Sequence, residues 1–390
     1  MKRIRVALMI DTASGHGRGL LRGIANYVRL HDPWEFFFNP GDCDQVLPKM
    51  GEWDGHGIIA RFSDEKIARE ILKTGLPVIA LDIPESMKDI ELEFDNLYEV
   101  QNNSHVAAVL AADHFLDRQF TRFAYVGYYG QIWSRLRQES FQQNLEEKGF
   151  AVHVYPIPVR GRKRLRWELE QTNLEQWLKS LPKPIGLLAC NDQRGREVLE
   201  ACQGAEISVP YEVAVMGIDN DEILCDLSNP SLSSVVMNTE QGGYQAAKLL
   251  GKLMCGGRPE RRVIVVEPLR IELRRSTDVA AIDDRDMASA MQYIHQNLGN
   301  QMTIDVIAEY VSLSKRTLQI RFKNIFGRTI SSEVRTAKLN HARKLLQETE
   351  LSIPEITELA GFGTTSYLTQ CFRQQFGMTP SKYRRNIRGG

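Results

Sequence analysis

At residues 322–330 the chain reads Phe-Lys-Asn-Ile-Phe-Gly-Arg-Thr-Ile, and at residues 372–380 it reads Phe-Arg-Gln-Gln-Phe-Gly-Met-Thr-Pro. Each copy follows two amphipathic stretches separated by a short turn, which is the pattern of a helix-turn-helix unit. We expect the two units at about 304–323 and 353–374. Two adjacent units of this kind predict a protein that contacts DNA at two neighbouring places.

The second helix of a helix-turn-helix unit enters the major groove, so its hydroxyl, amide and cationic side chains reach bases or phosphates. The first copy offers Ser314, Lys315, Arg316, Thr317, Gln319 and Arg321, and the second offers Thr364, Thr365, Ser366, Tyr367, Thr369, Gln370 and Arg373. Four apolar residues recur at helical spacing and are expected to face the core: Leu318, Phe322, Leu368 and Phe372. Leu313 pairs with Phe362 at an offset of 49, whereas the repeated motifs pair at 50, so the second turn is predicted to be one residue longer.

The second copy carries a longer signature, which resembles the end of the AraC family DNA-binding domain, Phe-Arg-x-x-Phe-Gly-x-Thr-Pro-x-x-Tyr. The matching residues are Phe372, Arg373, Phe376, Gly377, Thr379, Pro380 and Tyr383. The first copy has Ile330 in place of the proline, so its tail is expected to continue into a spacer helix from Ser331 to Gln347. A helical bundle with a mildly basic surface is the alternative, and the repetition of the motif favours DNA binding.

Length and composition exclude several other classes of protein. At 390 residues the chain exceeds the size of one hydrophobic core, so two or three domains are expected. No apolar run approaches the roughly 20 residues that a membrane helix needs, and the run from Ile4 to Ile10 predicts a strand, not a signal peptide. Six scattered cysteines and eight dispersed histidines predict reduced thiols, no disulfide framework and no metal site. We therefore expect a cytoplasmic protein.

The formal net charge of zero conceals an asymmetry. From Asp286 onward the chain has 14 Lys and Arg against 8 Asp and Glu, so the part before it is acidic. A basic segment behind an acidic body favours DNA contact by that segment, because Lys and Arg displace counterions from the duplex.

Short apolar runs alternate with amphipathic stretches from residue 4 to about 275, which predicts parallel sheets with crossover helices. Strands are expected at Ile4–Ile10, Gly57–Ala60, Pro77–Leu81, Arg122–Val126, Ala151–Tyr155, Gly186–Ala189, Ala214–Ile218 and Val263–Val266. Helices are expected at Gly19–Leu30, His105–Leu116, Arg137–Lys148 and Tyr244–Leu253. The strands are too many for one compact sheet, so we expect two lobes with a cleft at the carboxyl ends of the strands. The domains would be a sensor at 1–275, a linker at 276–286 and a DNA-binding domain at 287–390.

The glycine-rich loop after the first strand does not fit a nucleotide site. In the loop from Asp11 to Gly19 the dinucleotide fingerprint fails, because Leu20 stands in the place of its third glycine. The chain also has no Gly-Lys-Ser or Gly-Lys-Thr phosphate loop. We expect no cofactor and no catalytic residues. The alternative is a sugar- or nucleotide-acting enzyme on a doubly wound fold with an accessory helical domain.

Polar clusters follow three of the expected strands, at residues 133–141, 189–195 and 217–221. They resemble the effector-binding core of LacI-type regulators and ribose-binding-type periplasmic proteins. That resemblance implies a type I periplasmic-binding-protein-like α/β sensor of two lobes, placed before an all-α domain with two helix-turn-helix units. It implies ligand contacts from Arg137, Asn191, Asp192 and Asp219, with Asp11 and Arg18 contributing from the first loop and Asn103 at a position where relatives often carry Asp.

The residue types at these positions suit a sugar. A carboxylate such as Asp219 accepts hydrogen bonds from two vicinal hydroxyls, and an arginine donates two in a fixed geometry. Trp133 would stack on a pyranose or serve as an ordinary packing aromatic. For Asp192 and Asp219 the alternative role is helix capping.

A LacI-type sensor before an AraC-type DNA reader resembles the bacterial xylose-operon regulator family. The resemblance implies an activator of pentose catabolic genes that responds to a sugar effector such as xylose. Its partners would be double-stranded operator DNA, a second copy in a homodimer and RNA polymerase, with no membrane association.

Overall fold

The apolar runs of the first 272 residues form strands that assemble into two sheets. A computed structural model describes residues 4–31, 33–38, 54–62, 64–87, 89–156, 167–257, 259, 262–278, 284–300 and 302–388. Within them the strands are β1 Ile4–Met9, β2 Trp34–Phe38, β3 Gly57–Ala60, β4 Val78–Leu81, β5 Leu97–Asn102, β6 Phe123–Val126, β7 Val152–Val154, β8 Ile185–Ala189, β9 Val213–Ile218, β10 Ser233–Met237, β11 Val263–Val266 and β12 Pro268–Glu272. The chain divides into two units, residues 1–281 and 282–390.

Helices connect these strands in the first unit and make up the second. In the first unit they are α1 Gly15–Leu30, α2 Glu65–Leu72, α3 Ile90–Glu93, α4 Ser104–Asp117, α5 Ile132–Glu146, α6 Trp167–Ser180, α7 Asp192–Gly204, α8 Glu222–Leu227 and α9 Thr239–Met254. In the second they are α10 Arg285–Gln296, α11 Ile304–Tyr310, α12 Lys315–Phe326, α13 Ile330–Glu348, α14 Ile353–Leu359, α15 Thr365–Phe376 and α16 Pro380–Arg388. No helix in the described ranges is long and apolar enough to cross a membrane.

Each sheet of the first unit is the centre of a lobe. The sheet of lobe 1 has the order β2-β1-β3-β4-β5-β11 and is parallel throughout. The sheet of lobe 2 has the order β7-β6-β8-β9-β10-β12 and is parallel except for β12, which runs antiparallel to β10. Strands such as β3, β4 and β6 are buried along their whole length, since helices cover both faces of such sheets. The expected two-lobed α/β architecture is confirmed.

The chain passes between the lobes three times, at residues 102–104, 237–239 and 266–268. Backbone hydrogen bonds join the crossings: Asn103 N donates to Val266 O at 2.9 Å, and Asn238 N donates to Glu267 O at 3.0 Å. The three adjacent crossings, which we call the hinge, are the covalent connections between the lobes.

The eight expected strands are confirmed to within one residue at each end, but β2, β5, β10 and β12 were not predicted. These strands carry polar residues, as in the sequence Leu-Tyr-Glu-Val-Gln-Asn of β5, which breaks the apolar run that marks a buried strand. The expected helices are present and begin up to five residues earlier, because the first helical turn lacks the apolar spacing of the turns that pack on the sheet.

The first residues of the expected linker pack against the sensor. Ser276 and Thr277 are fully buried, and Ser276 Oγ donates to Val215 O at 2.6 Å. The first unit therefore extends at least two residues beyond 275. Helix α10 begins at Arg285, before the expected Met287, and residues 279–283 of the expected linker lie outside the described residues.

The repeated motif of the second unit is a helix end followed by a helix start. Gly327 and Gly377 end α12 and α15 with φ of 66° and 74°, the left-handed region that favours glycine. Thr329 and Thr379 then accept hydrogen bonds from the backbone of the next helices, α13 and α16. The turn before α12 spans residues 311–314 and the turn before α15 spans 360–364, so the predicted extra residue is confirmed. The apolar residues expected to face inward, Leu318, Phe322, Leu368 and Phe372, are each 0% exposed.

Candidate functional site

The carboxyl ends of the strands in lobe 2 bring Arg137, Asn191 and Asp219 together. Arg137 is 2% exposed; its Nη1 donates to Cys190 O at the end of β8, and its Nη2 donates to Asp219 Oδ1 at 3.1 Å after β9. Burial is the largest influence on the pKa of Arg137 and opposes the charged form, but Asp219, Tyr125, Cys190 and Asp82 together outweigh it and the pKa is raised. The guanidinium is therefore a permanent cation paired with a carboxylate.

Asp192 supports this group from behind. Its Oδ2 accepts from Asp221 N at 2.6 Å and its Oδ1 accepts from Ser234 Oγ at 2.5 Å, so it connects the loop after β9 to β10. Burial, reinforced by the Asp219 carboxylate, raises the pKa of Asp192 to about 8. At neutral pH the folded protein thus holds Asp192 protonated. Both Asp192 oxygens thus hold the loop after β9 in place, and the contact of this residue with a ligand stays a prediction.

Helix capping was the alternative role for Asp192 and Asp219, and neither side chain caps the helix that follows it. Asn191 caps α7 by accepting from Arg194 N at 2.9 Å, and its side-chain NH2 makes no hydrogen bond within the described ranges. Asp219 has a φ of +108° and is followed by Asn220 at +53°, backbone conformations that side-chain-bearing residues rarely adopt. Such strain is common at ligand sites, where the surrounding contacts hold it in place.

Lobe 1 contributes a group that the sequence analysis did not select: His16, Arg61, Asp82 and Asn102. Asp82 accepts from the backbone N of Asn102 at 3.1 Å and from its Nδ2 at 2.9 Å, and Arg61 Nη2 lies 3.5 Å from Asp82. His16 Nε2 lies 3.0 Å from Asn102 Nδ2. Burial lowers the pKa of His16, so the ring is neutral at neutral pH.

The two groups influence each other across the space between the lobes, which we call the cleft. Asp219 raises and Arg137 lowers the pKa of His16, and Asp82 raises the pKa of Arg137. The signal for the lobe 1 group was present in the sequence. Arg61 and Asp82 directly follow buried strands, as Asn191 does in lobe 2, and the same rule applied to both lobes selects them.

Arg18, which the sequence analysis predicted as a ligand contact, forms an ion pair between the lobes. Its Nη2 donates to both carboxylate oxygens of Asp221 in lobe 2, at 2.7 and 2.8 Å, and its Nη1 donates to Thr12 O and Ala13 O. Asp221 is 5% exposed in this pair. Arg18 therefore joins the lobes. Asp11 lies half-buried in the same loop, and its carboxylate accepts from Ala13 N at 2.6 Å.

Asn103 and Trp133 are likewise engaged within the protein. Asn103 lies in the hinge, where its side chain caps α4 and its Nδ2 donates to Glu267 at 2.8 Å. These bonds hold its side chain at the hinge, and its contact with a ligand stays a prediction. The Trp133 ring packs against the core of lobe 2 and lies 5.2 Å from the Arg137 guanidinium and 6.3 Å from the Tyr128 ring. Of the two roles considered for Trp133, the packing role describes these contacts.

The second unit presents α12 and α15 as the second helices of its two helix-turn-helix units. Two expected DNA contacts are the helix caps: Ser314 accepts from Thr317 N and Thr364 accepts from Tyr367 N. Lys315, Arg316, Thr317, Gln319, Ser366, Tyr367, Gln370 and Arg373 are exposed, and Thr365 and Thr369 are partly buried. Lys315 Nζ pairs with Asp305 of the preceding helix at 2.8 Å.

Arg321 is the exception among the expected DNA contacts. Its guanidinium is bound to Asp284 at 2.6 Å and to Asp286 at 2.8 Å, both at the start of α10. The internal repeat accounts for the inward placement of Arg321. The residue 50 positions later, at the same place in the second copy, is Cys371, which is buried. Lys323 corresponds to Arg373 at the same offset and is an exposed cation that the sequence analysis did not select.

Comparison with known proteins identifies both units. Family models match a XylR N-terminal domain over residues 5–98, a periplasmic binding protein-like domain over 112–277 and a helix-turn-helix domain over 307–386. The chain is 31% identical over 390 residues to the xylose operon regulatory protein of Haemophilus influenzae, with 98% of each chain covered. It is 30% identical to the protein of that name from Escherichia coli strain K12, covering 98% of this chain and 97% of the relative.

Solved structures agree with these matches. The structure of the xylose-binding transcription activator xylR superimposes with a TM-score of 0.84 at 29% identity and covers 99% of both chains. A periplasmic binding protein/LacI transcriptional regulator from Alkaliphilus metalliredigens, in complex with D-xylulofuranose, has a TM-score of 0.56 at 17% identity over 71% of this chain. The second likeness shows the shared fold of the sensor alone.

Proposed function

Because the chain belongs to the family of xylose operon regulatory proteins, and is a sugar-responsive, DNA-binding transcription activator rather than an enzyme, we propose that its effector is xylose or a closely related pentose. The sugar binds in the cleft of the sensor. Arg137, Asn191 and Asp219 contact it from lobe 2, and His16 and Asp82 contact it from lobe 1.

The balance of charges in the cleft is the observation that carries this proposal. Arg137 is paired with Asp219, and Arg61 lies beside Asp82, so each cation has an anion next to it. Arg18 is paired with Asp221 as well, and His16, with its lowered pKa, and Asp192, with a pKa of about 8, are neutral at neutral pH. A site with many hydrogen-bonding groups and no excess charge suits an uncharged polyol and disfavours a sugar phosphate.

Xylose acts by favouring the closed arrangement of the lobes. A ligand shifts a conformational equilibrium only by its differential affinity for the two states. A sugar that bonds to His16 and Asp82 in lobe 1 and to Asp219 in lobe 2 binds the closed arrangement more tightly than the open one, because opening at the hinge breaks the bonds to one of the lobes. When the lobes open or close, the backbone at the hinge changes conformation and the ion pair between Arg18 and Asp221 breaks or forms.

The closed sensor changes the arrangement of a homodimer so that the α12 and α15 helices of both copies meet operator DNA. Exposed cations and amides on these helices supply phosphate and base contacts, among them Arg316, Lys323, Gln370 and Arg373. The activator then engages RNA polymerase in the bacterial cytoplasm. Dimerisation and the polymerase contact are expectations from this mode of action.

Titration calorimetry tests the effector. Xylose is expected to bind in the micromolar to millimolar range usual for small ligands, and xylose 5-phosphate is expected to bind at least about tenfold more weakly because the cleft has no unpaired cation to receive it. Glucose serves as the control for size. Tighter binding of the phosphate than of the free sugar, or no heat with xylose, would refute the assignment.

A further inference from the structure

Lys338 of the spacer helix α13 is a buried lysine whose partners are backbone carbonyls. The residue is 8% exposed, and its Nζ donates to Gly361 O at 2.7 Å and to Asn300 O at 2.9 Å. No carboxylate within the described ranges forms an ion pair with it. Burial lowers the pKa of Lys338, so the fold tolerates a desolvation cost at this position that an apolar residue would not carry.

The two carbonyls belong to different helix-turn-helix units. Asn300 precedes α11, the first helix of the first unit, and Gly361 lies in the turn between α14 and α15 of the second. Gly361 has a φ of +67°, and a Cβ there would lie 2.3 Å from Leu298 O and 2.8 Å from Lys338 Nζ. The backbones of the two units therefore approach closely at this point, with the ammonium bonded to both.

Two groove-reading helices function together only if their separation and rotation match the duplex. Successive major-groove segments on one face of B-DNA are about 34 Å apart. A flexible connection would let α12 and α15 bind DNA segments at several distances from each other. A connection fixed by hydrogen bonds, such as those of Lys338, favours one distance. Charge-assisted hydrogen bonds have defined directions and so fix such a joint better than apolar packing does.

We propose that Lys338 is a positioning residue that fixes α15 relative to α12 and thereby sets the spacing of the two DNA segments that the protein recognises. The inference rests on the proposed function, in which both helices contact DNA. The Lys338 ammonium is the only side-chain group in the described part of the second unit that donates to both carbonyls.

The test compares DNA duplexes of different spacing. The probe is a duplex selected from a random-sequence pool with the full-length wild-type protein. One base pair is inserted or deleted between the segments that α12 and α15 protect, and in a fourth duplex the α15 segment is scrambled. Affinities are measured by fluorescence anisotropy at constant salt, because salt dominates such constants.

Lys338→Met removes both hydrogen bonds and keeps the aliphatic stem. We expect it to bind the selected duplex roughly tenfold more weakly than wild type, to discriminate among the three spacings by less than about twofold, and to bind the scrambled duplex as wild type does. Lys344→Met is the matched control, since Lys344 is an exposed lysine of the same helix and its loss changes the net charge equally. The control should keep the wild-type dependence on spacing.

A second pair of variants changes the same contact between the two helix-turn-helix units. This pair tests the positioning role if Lys338→Met does not fold. Gly361→Ala places a methyl group against Leu298 O and should relax the dependence on spacing, whereas a Cβ at Gly363 meets no atom within 4 Å. Gly363→Ala should therefore behave as wild type. Folding of each variant is verified by thermal unfolding.

The outcomes separate this inference from the proposed function. Equal loss of affinity of Lys338→Met for all four duplexes, or a spacing dependence like that of wild type, would overturn the positioning role. If the wild-type protein bound the scrambled duplex as tightly as the selected one, the proposal that both helices contact DNA would fail instead.

Discussion

Replacing Asp219 by asparagine tests the cleft, because it removes a charge while keeping the shape of the side chain. Arg137 Nη2 donates to Asp219 at 3.1 Å, and a hydrogen bond that involves a charged group contributes roughly 1.5–3 kcal/mol. The amide oxygen of asparagine still accepts this bond, so we expect a loss of about 1–2 kcal/mol in the stability of the sensor. At about 2–4 °C per kcal/mol for a domain of this size, the unfolding temperature should fall by about 2–8 °C.

The same substitution should weaken sugar binding much more than it weakens the fold. A carboxylate accepts hydrogen bonds from two sugar hydroxyls, and replacing it by an amide makes one of these contacts neutral and turns the other position into a donor. We expect the affinity for xylose to fall about 10- to 100-fold. Affinity of the sugar-free protein for operator DNA should stay within about twofold of wild type, because the substitution lies in the sensor.

Calorimetry with xylose and thermal unfolding without it measure the two effects separately. Glu222→Gln is the control, because Glu222 is an exposed carboxylate three residues further along the chain. A variant with lowered stability but wild-type affinity for xylose would show that Asp219 only holds Arg137 and lies outside the ligand site.

Three further predictions follow from contacts elsewhere. Lys323→Gln should weaken operator binding about tenfold and lower the slope of log affinity against log salt by about one. Arg321→Gln should lower the stability of the protein and leave this slope at the wild-type value. Equal slopes for the two variants would contradict the assignment of Lys323, and not Arg321, as a phosphate contact. His114 has a pKa lowered to about 3 by burial and by Arg118, so only the unfolded chain takes up its proton as the pH falls from about 6.5 to about 3, and stability is lost over that window. His114→Gln should reduce the slope of the free energy of unfolding against pH by about 1.4 kcal/mol per pH unit in urea titrations. If the variant and the wild type differed in stability by the same amount at pH 4 and at pH 7, His114 would not be the cause of this slope. Arg18→Met removes the ion pair between the lobes and should increase the radius of gyration of the sugar-free sensor in solution scattering while weakening xylose binding about tenfold; an unchanged radius and affinity would exclude a role in closure.

The two helix-turn-helix units could be predicted because their signals are local. Apolar spacing and the repeated motif act within a few residues of one another, so they predicted both units, and the structure shows that the glycines of the motif, Gly327 and Gly377, end α12 and α15. For Arg321 the sequence did not reveal the partners within the protein. A cation on a recognition helix looks the same in sequence whether it meets a phosphate or the carboxylates of Asp284 and Asp286, which lie 37 and 35 residues away.

The cleft was predicted in part. The rule that ligand residues follow buried strands located the polar clusters, and the resemblance to LacI-type regulators selected Arg137 and Asp219 within them; the fold brings these two into contact from 82 residues apart. The rule does not reveal which polar side chains the protein uses for itself. Arg18 is occupied by Asp221, 203 residues further on, and such a pairing depends on how the two lobes meet.

The amino-acid sequence by itself determined the class of this protein: a two-lobed α/β sensor followed by two DNA-reading units, because periodicity, glycine positions and repeated motifs are properties of neighbouring residues. Only the tertiary structure decided which polar side chains are free for a partner. Hydrogen bonds and ion pairs between distant residues consume donors and acceptors, and their geometry exists only after the chain has folded. The partners of His16, Asp82 and Lys338 arise in this way, because Asn102 lies 86 residues from His16 and 20 from Asp82, and Gly361 lies 23 residues from Lys338.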